Sequence, residues 1–194
     1  VRESEPWQSY FNYLSRPLVL KALSCFSYPY RIVFVSHATR NGFESLNSTS
    51  NFCVIQNGLD MLRLEKMRDE WPTPKSRSKL GLSENEIMVL VLGTVCVRKG
   101  QKDLVQAMSV LKNSAATKVH LFIVGDRPSL YSSEMNKMVA SLPGERAARI
   151  SIVPETEKTA LYYSAADIFV CTSRVESYPR VILEAMAYGL PIIS

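Results

Sequence analysis

The feature that most constrains the fold is a repeated alternation of short apolar runs with longer helical patterns. The apolar runs are rich in Val, Ile and Phe, and seven of them predict strands, at 31–36, 52–55, 87–93, 119–125, 149–153, 167–171 and 191–194. Their nearly continuous hydrophobicity is typical of strands that are covered on both faces in a parallel sheet. The alternation therefore predicts an α/β protein that is built from βα units.

Helical patterns lie between the predicted strands. Apolar residues from Leu104 to Leu111 keep the i, i+4, i+7 spacing of one helix face behind Gly100. Residues 161–166 predict a second helix, with Thr156 as its capping start, and residues 181–187 predict a third. Each of these helices follows a predicted strand, as the βα pattern requires.

The polar, charged segment 58–85 divides the chain, because it lacks a sustained apolar period and predicts an interdomain linker. We expect residues 1–57, with an amphipathic stretch at 7–14, to be the end of one Rossmann-like domain. Residues 86–194 are expected to form most of a second such domain. The chain opens on Val1 and stops on an apolar run. We therefore expect a piece of a longer protein, truncated within the second domain.

The composition excludes several classes of protein. With 46% hydrophobic and 21% charged residues, the chain is neither disordered nor fibrous. The net charge of +5 is spread evenly along the chain, so no basic tail predicts nucleic-acid binding. No apolar run reaches the roughly 18 residues that span a bilayer. Four widely separated cysteines predict reduced, mostly buried thiols in a cytoplasmic protein.

Several familiar motifs are absent from the sequence. It contains no G-x-G-x-x-G, no P-loop, no G-x-S-x-G and no D-x-D. The two histidines, His37 and His120, lie apart from any cluster of Cys or Asp. We therefore expect neither a resident metal nor a cofactor.

Residues 93–101 (GTVCVRKGQ) join a predicted strand to a helix and carry the adjacent cations Arg98 and Lys99. Cations at the carboxyl end of a parallel strand lie where open α/β sheets bind ligands. A diphosphate suits both side chains, since Arg offers a planar fork and Lys a compact charge. The alternative is a solvated basic turn.

Residues 173–187 (SRVESYPRVILEAMA) carry two glutamates that are eight positions apart. Glu176 lies in the loop before the predicted helix and can accept hydrogen bonds from sugar hydroxyls. Glu184 lies within the helix and can accept them from a ribose diol. The alternative is a helix-start Glu favoured by the dipole and an ordinary helical Glu. Against that alternative, Glu184 has apolar neighbours, and a carboxylate in such a setting needs a partner.

Val153 and Pro154 open a third strand-to-helix loop, which can present backbone groups to the edge of a nucleobase. A plain capped turn is the alternative for this loop.

Taken together, these residues resemble the retaining, nucleotide-sugar-dependent glycosyltransferases of family 4, which have the two-domain GT-B architecture. The family pattern of Glu, seven residues and Glu, followed by a helix and a Gly-Leu-Pro turn, corresponds to ESYPRVILEAMAYGLPIIS. VRKGQKDLVQA, LFIVGD and YYSAADIFVCTS match further family segments, and VSHAT and FCVIQNGLD match the end of the first domain. The resemblance covers roughly residues 30–194, in order.

The resemblance implies a role for each matched residue. Glu176 would contact hydroxyls of the donor sugar near the reacting carbon, and Glu184 would bind the ribose hydroxyls. Arg98 and Lys99 would neutralise the diphosphate leaving group. The expected catalytic residues are Glu176, Lys99 and Arg98. The expected donor-binding residues are Gly93, Thr94, Arg98, Lys99, Val153, Pro154, Ser177, Tyr178 and Glu184, with Ser177 and Tyr178 offering backbone N–H groups.

Two positions depart from the family pattern. Many relatives have Gly where Pro179 stands, which removes one N–H donor here. Many also have Arg where Thr94 stands, so one phosphate contact must be weaker or come from elsewhere.

The implied activity is transfer of a hexosyl residue from a nucleoside-diphosphate sugar, expected to be UDP-linked, to an unknown glycan, lipid-linked or small-molecule acceptor. The nucleotide-sugar is then a substrate, and cations with a helix N-terminus stabilise the leaving group without a metal. The alternatives are a sugar-nucleotide epimerase of the same architecture and a non-catalytic nucleotide-binding relative. The given piece by itself is expected to be inactive.

The partners follow from the same resemblance. We expect no nucleic-acid partner, because the charge is even and no aromatic residues interleave with basic ones. We expect a cytoplasmic protein with peripheral membrane contact, since many relatives act on lipid-linked acceptors and the segment 63–79 is basic.

Overall fold

The structure is a computed structural model, and it describes residues 31–41, 52–111 and 118–194. The amphipathic stretch predicted at 7–14 lies outside the described residues. The chain divides into two compact units, which consist of residues 1–58 with 175–180 and of residues 59–174 with 181–194.

The described part of the first unit contains a strand–helix–strand segment. Strand β1 (Ile32–Phe34) leads into helix α1 (His37–Asn41) and is paired in parallel with strand β2 (Phe52–Val54). The hydroxyl of Ser36 accepts the N–H of Thr39 at 3.1 Å, which satisfies one of the free donors at the start of α1. The two strands predicted in this region are confirmed.

The second unit is built on one parallel sheet of five strands, β3 (Ile87–Leu92), β4 (Val119–Asp126), β5 (Ile150–Pro154), β6 (Ile168–Val170) and β7 (Ile192–Ile193). Their order in the sheet is β5-β4-β3-β6-β7. All of their pairings are parallel. The remaining five predicted strands and the parallel α/β class are therefore confirmed.

Among the described residues from 59 onwards, the helices are α2 (Met61–Glu70), α3 (Thr73–Lys79), α4 (Gln101–Val110), α5 (Leu130–Ala140), α6 (Gly144–Ala147), α7 (Thr159–Ala165) and α8 (Arg180–Ala187). The three predicted helices are confirmed as α4, α7 and α8. The predicted cap of α7 at Thr156 is wrong, because the Thr156 hydroxyl accepts the N–H of Lys158 and closes a turn before the helix begins. Among the described residues, no helix is long and apolar enough to cross a membrane.

The sheet of the second unit is covered on both faces, as the near-continuous apolar strands predict. In β3, Met88 and Leu90 belong to one buried cluster with α7, while Val91 belongs to the other with α4. This division follows from the period of two along a strand, which sends successive side chains to opposite faces. The central strand β3 therefore contributes side chains to the buried clusters on both faces of the sheet.

The segment predicted as a linker, 58–85, contains α2 and α3, and both helices contact α7. One side chain fastens this segment: the guanidinium of Arg77 donates to the carbonyl of Ala165 at 3.1 Å and to the carboxylate of Asp167 at 2.9 Å. Trp71 and Leu82 add to the core cluster. The sequence hides this packing because it depends on one hydrogen-bonding Arg and on isolated apolar residues. The division of the full-length protein into two domains stays a prediction.

The cysteines of the described residues carry free thiols, as expected. The expectation that they are mostly buried is wrong, since Cys53, Cys96 and Cys171 are each half-buried. Cys53 lies within the short strand β2, Cys171 directly follows β6, and Cys96 lies in the loop after β3, and solvent reaches part of each side chain.

Candidate active site

The second unit has a reversal of strand order beside β3. The chain moves outward from β3 through β4 to β5 and then returns to place β6 on the other side of β3. In open parallel sheets, ligands bind outside the carboxyl ends of the strands at such a reversal. The loops that follow β3 and β6 therefore border the position where such a sheet binds a ligand.

The loop after β3 is anchored to the end of β4. The N–H of Gly93 donates to the carbonyl of Val124 at 2.9 Å, and the N–H of Val95 donates to the carbonyl of Gly125 at 3.2 Å. Thr94, between these anchors, is exposed. The backbone of Gly93 and Thr94 is thus held at the edge of the sheet while the Thr94 side chain faces solvent.

A buried amide organises the same loop from within. The side chain of Gln101 is fully buried, although Gln is a residue usually found at the surface. Its Nε2 donates to the carbonyl of Thr94 at 3.1 Å, and its Oε1 accepts the N–H of Cys96 at 3.3 Å. Gln101 therefore fixes the turn between the predicted phosphate-binding residues and the start of α4.

The two predicted cations lie on a short 3₁₀ turn, Val97–Lys99, which ends at Gly100 with φ +66°. The Lys99 side chain folds back over the end of β3: its Nζ lies 3.7 Å from the position that a β-carbon on Gly93 would occupy. The ammonium group therefore lies beside Gly93, at the end of β3. Lys99 and Arg98 are both half-buried.

The loop after β6 clamps this cationic turn. The hydroxyl of Thr172 donates to the carbonyl of Lys99 at 2.7 Å, and the N–H of Arg174 donates to the carbonyl of Arg98 at 2.8 Å. A β-carbon on Gly100 would stand 2.5 Å from the carbonyl oxygen of Thr172, so only glycine permits this approach. The loops after β3 and β6 are therefore joined by direct hydrogen bonds.

The third predicted loop begins at the carboxyl end of β5. Val153 is half-buried and Pro154 exposed, and the N–H of Glu155 donates to the carbonyl of Asp126 at 3.1 Å. Arg127 holds Glu155 through two hydrogen bonds of 2.6 and 2.7 Å. These bonds lower the pKa of the Glu155 carboxyl and raise that of Arg127. The backbone hydrogen bond therefore joins this loop to the end of β4, and the ion pair joins it to the residue that follows β4.

Glu184 has the partner that its apolar neighbours require. The hydroxyl of Tyr163 donates to its Oε2 at 2.9 Å. Tyr163 lies on α7 and is 2% exposed. Burial, and next the charge of Glu184, raise the pKa of Tyr163, so the phenol stays protonated and remains a donor.

The predicted residues therefore fall into two groups. Gly93, Thr94, Arg98 and Lys99 form one connected turn of the second unit, which the end of β4 joins to Val153 and Pro154. Glu184 lies in the same unit, on α8. Glu176, Ser177 and Tyr178 are half-buried residues of the segment 175–180, which belongs to the first unit.

Three residues that shape the site are missing from the predicted set: Gln101, Thr172 and Tyr163. Each lies inside a quoted family segment, but its action depends on a contact with a distant part of the chain. The one feature that marks Gln101 and Tyr163 is that each is a buried polar side chain. The sequence does not show this, because burial cannot be inferred from a single position. Within the described residues, no three Cys, His, Asp or Glu side chains are grouped as a metal site.

The fold and the loops at the strand reversal define a parallel α/β protein of the class that binds its ligand at the carboxyl edge of the sheet. Residues 72–194 match the family described as Glycosyl transferases group 1. The chain belongs to this family.

The names of similar proteins are consistent with membership of this family. An alpha-monoglucosyldiacylglycerol synthase of Streptococcus pneumoniae is 32% identical over 143 residues, which are 73% of this chain and 32% of the relative. A GDP-mannose:cellobiosyl-diphosphopolyprenol alpha-mannosyltransferase of Xanthomonas oryzae is 28% identical over 180 residues, 90% of this chain and 42% of the relative. The chain spans 32% and 42% of the length of these two relatives.

Solved structures show the same fold. HepE of Anabaena in complex with UDP superposes with a TM-score of 0.77 at 21% identity, over 94% of this chain and 50% of HepE. WaaG, a glycosyltransferase of lipopolysaccharide biosynthesis, gives a TM-score of 0.67 at 21% identity, over 84% of this chain and 43% of WaaG. The GT-B fold class implied by the sequence is confirmed, and the matches give no support to the epimerase alternative.

Proposed function

We propose that the complete protein is a retaining glycosyltransferase that moves a hexosyl residue from a UDP-linked sugar to an acceptor. The observation that carries the proposal is the placement of Lys99, whose ammonium group folds over Gly93 at the carboxyl end of β3. This end borders the strand reversal, where a diphosphate fits the chemistry of the turn.

The chemistry needs a stabilised leaving group. When the bond between the anomeric carbon and the β-phosphate oxygen breaks, negative charge builds on the departing nucleoside diphosphate. Cations that are already fixed in place lower this barrier without reorganising. Lys99 and Arg98 take this role, because two hydrogen bonds from the loop after β6 to their backbone carbonyls hold their turn.

The remaining roles rest on the resemblance and on local chemistry. Gly93 and Thr94 lie along the diphosphate, while Val153 and Pro154 present backbone groups to the base. Glu184 accepts hydrogen bonds from the ribose, and Glu176 accepts them from the donor sugar. Ser177 and Tyr178 supply backbone N–H groups. Retention of the anomeric configuration is attributed to attack by the acceptor on the face of the anomeric carbon that the leaving group vacates. We therefore assign no side chain of the protein as a nucleophile.

The names of similar proteins support a nucleotide-sugar donor. They differ in the nucleobase of that donor, which is uracil in some and guanine in another. HepE structures contain UDP or UDP-glucose, whereas the Xanthomonas relative is named for GDP-mannose. The name of one relative contains a glucosylated diacylglycerol, and the name of another contains a cellobiosyl-diphosphopolyprenol. We therefore propose a lipid-linked acceptor reached by peripheral membrane contact. The cytoplasmic location and the lack of a cofactor stay predictions.

The test uses the full-length enzyme. Saturation-transfer NMR with UDP, GDP and a short oligonucleotide separates a nucleotide-sugar enzyme from a nucleic-acid binder. We expect UDP, and not the oligonucleotide, to bind, and binding by GDP alone would show that the proposed base is wrong. The release of that nucleotide from its sugar conjugate, with the anomeric configuration of the product read by NMR, then tests transfer and retention. Absence of binding by both UDP and GDP would contradict the proposal.

A further inference from the structure

We propose that Tyr163 is a positioning residue, whose hydroxyl holds the carboxylate of Glu184 in one orientation for the ribose hydroxyls of the nucleotide. The inference rests on the proposed function, in which Glu184 binds the ribose. It adds a residue of α7 to a site otherwise made from the loops after the strands and from α8.

The hydrogen bond between the two side chains is the first support. The Tyr163 oxygen lies 2.9 Å from Oε2 of Glu184 and 3.4 Å from the carbonyl oxygen of Val181. A phenol has a single proton to donate. The carboxylate is both nearer and charged, so the proton points to Glu184, and charge-assisted bonds of this kind are the stronger ones.

The ring of Tyr163 cannot move without repacking the core. It is 2% exposed and lies between two other rings, Phe169 of β6 at 5.9 Å and Tyr188 at 5.2 Å between centroids. Tyr188 is stacked on it and follows α8 directly. Because interiors are close-packed, these neighbours fix the hydroxyl at one point beside α8.

The carboxylate keeps one oxygen for a ligand. Within the described part of the chain, Oε2 of Glu184 accepts the Tyr163 proton and no hydrogen bond engages Oε1. Glu184 is half-buried, so its remaining oxygen can be reached. A side chain that is already oriented loses less rotamer freedom when the ligand binds, and this favours affinity.

The experiment compares nucleotides with and without ribose hydroxyls. Calorimetry on the full-length enzyme measures the Kd of UDP and of 2′,3′-dideoxy-UDP, or of the GDP pair where wild type prefers GDP. The ratio of the two Kd values is the ribose preference. The variants are Tyr163→Phe, Glu184→Ala and their combination. Tyr162→Phe is the matched control, because it removes a neighbouring hydroxyl that makes no hydrogen bond within the described residues.

We expect wild type to prefer the natural nucleotide by roughly tenfold or more, the scale of hydrogen bonds to a charged group. Glu184→Ala should abolish this preference, and Tyr163→Phe should lower it by about three- to tenfold. Tyr162→Phe should keep it. In the Glu184→Ala background, Tyr163→Phe should change the preference no further, since the two residues act as a unit.

The outcomes separate this inference from the proposed function. If Tyr163→Phe keeps the full preference while Glu184→Ala loses it, the positioning role is overturned and the proposed function stands. If Glu184→Ala keeps the preference, the ribose role of Glu184 is wrong and the inference fails with it. Tyr163→Phe retains the ring, so thermal unfolding of each variant shows whether the fold is intact. A general loss of affinity with an unchanged ribose preference would also overturn the positioning role.

Discussion

Gly125 lies so close to Gly93 that a β-carbon at position 125 would stand 2.6 Å from the Gly93 carbonyl oxygen. Gly125 also has a φ of +114°, which L side chains rarely adopt. Gly125 is the next-to-last residue of β4, and Gly93 directly follows the adjacent strand β3. The edge of the sheet that carries the proposed diphosphate site is therefore built on a contact that requires glycine.

Gly125→Ala should lower the free energy of unfolding by roughly 2–4 kcal/mol, because the new methyl group meets backbone that must shift. Gly144→Ala is the matched control, since nothing lies within 4 Å of its added β-carbon and it opens α6. There we expect a gain of up to about 1 kcal/mol. Urea unfolding of both variants measures the difference, and equal effects would contradict the close approach.

Gln101→Leu should lower stability by about 1–3 kcal/mol, because it leaves buried backbone groups of the 93–96 loop without partners. It should also weaken binding of UDP, as the loop loses its fixed shape. Gln106→Leu, on the exposed face of the same helix, should change neither quantity measurably. Urea unfolding and calorimetry test the pair. A Gln101 variant of wild-type stability would show that the amide does not hold the loop.

Lys99→Ala in the full-length enzyme should lower turnover by roughly 10²-fold or more, the scale of one preorganised contact to developing charge. Lys102→Ala is the control: this nearby cation pairs with Glu134 at the surface, where an ion pair contributes little. Steady-state kinetics with the donor sugar measure both. Unchanged turnover in a folded Lys99 variant would remove the residue from the mechanism.

Glu184→Ala should mainly weaken binding of the nucleoside diphosphate, whereas Glu176→Ala should mainly reduce turnover. The reason is their separate positions, one within α8 and the other in the loop before it. Calorimetry with UDP and steady-state kinetics on both variants make the comparison. If the two variants lose affinity and turnover in the same proportion, the roles are not divided in this way.

Stability should fall on acidification because of His120. Burial lowers the pKa of this half-buried side chain below 6.5. Below pH 6.5 the unfolded chain therefore binds more protons than the folded one, so stability falls with pH until the folded pKa is passed. One such group contributes a slope of at most about 1.4 kcal/mol per pH unit. In urea unfolding between pH 5 and 7, the His120→Gln variant should lose this contribution to the pH dependence of the free energy of unfolding. The His37→Gln variant, changed at an exposed position, should keep the contribution of His120.

Periodicity along the chain was enough to predict the strands, their parallel pairing and three of the helices that follow them, α4, α7 and α8. Val89 and Val91 alternate with Met88 and Leu90, and such near-continuous hydrophobicity is possible only where both faces of a sheet are covered. The cations of the 93–101 turn were also visible, because charge at a strand-to-helix junction is a local pattern. These features depend on neighbours in sequence.

The sequence by itself determined the order of strands and helices and the family. The first follows from the local spacing of apolar residues, and the second from motifs that occur in a fixed order. Only the tertiary structure decided that 58–85 forms helices fastened by Arg77, that Gln101 is buried under its own loop, and that Tyr163 meets Glu184. The last pair lies 21 positions apart on different helices. The physical reason is that one hydrogen bond between distant side chains leaves no period in the sequence, and folding alone brings its donor and acceptor together.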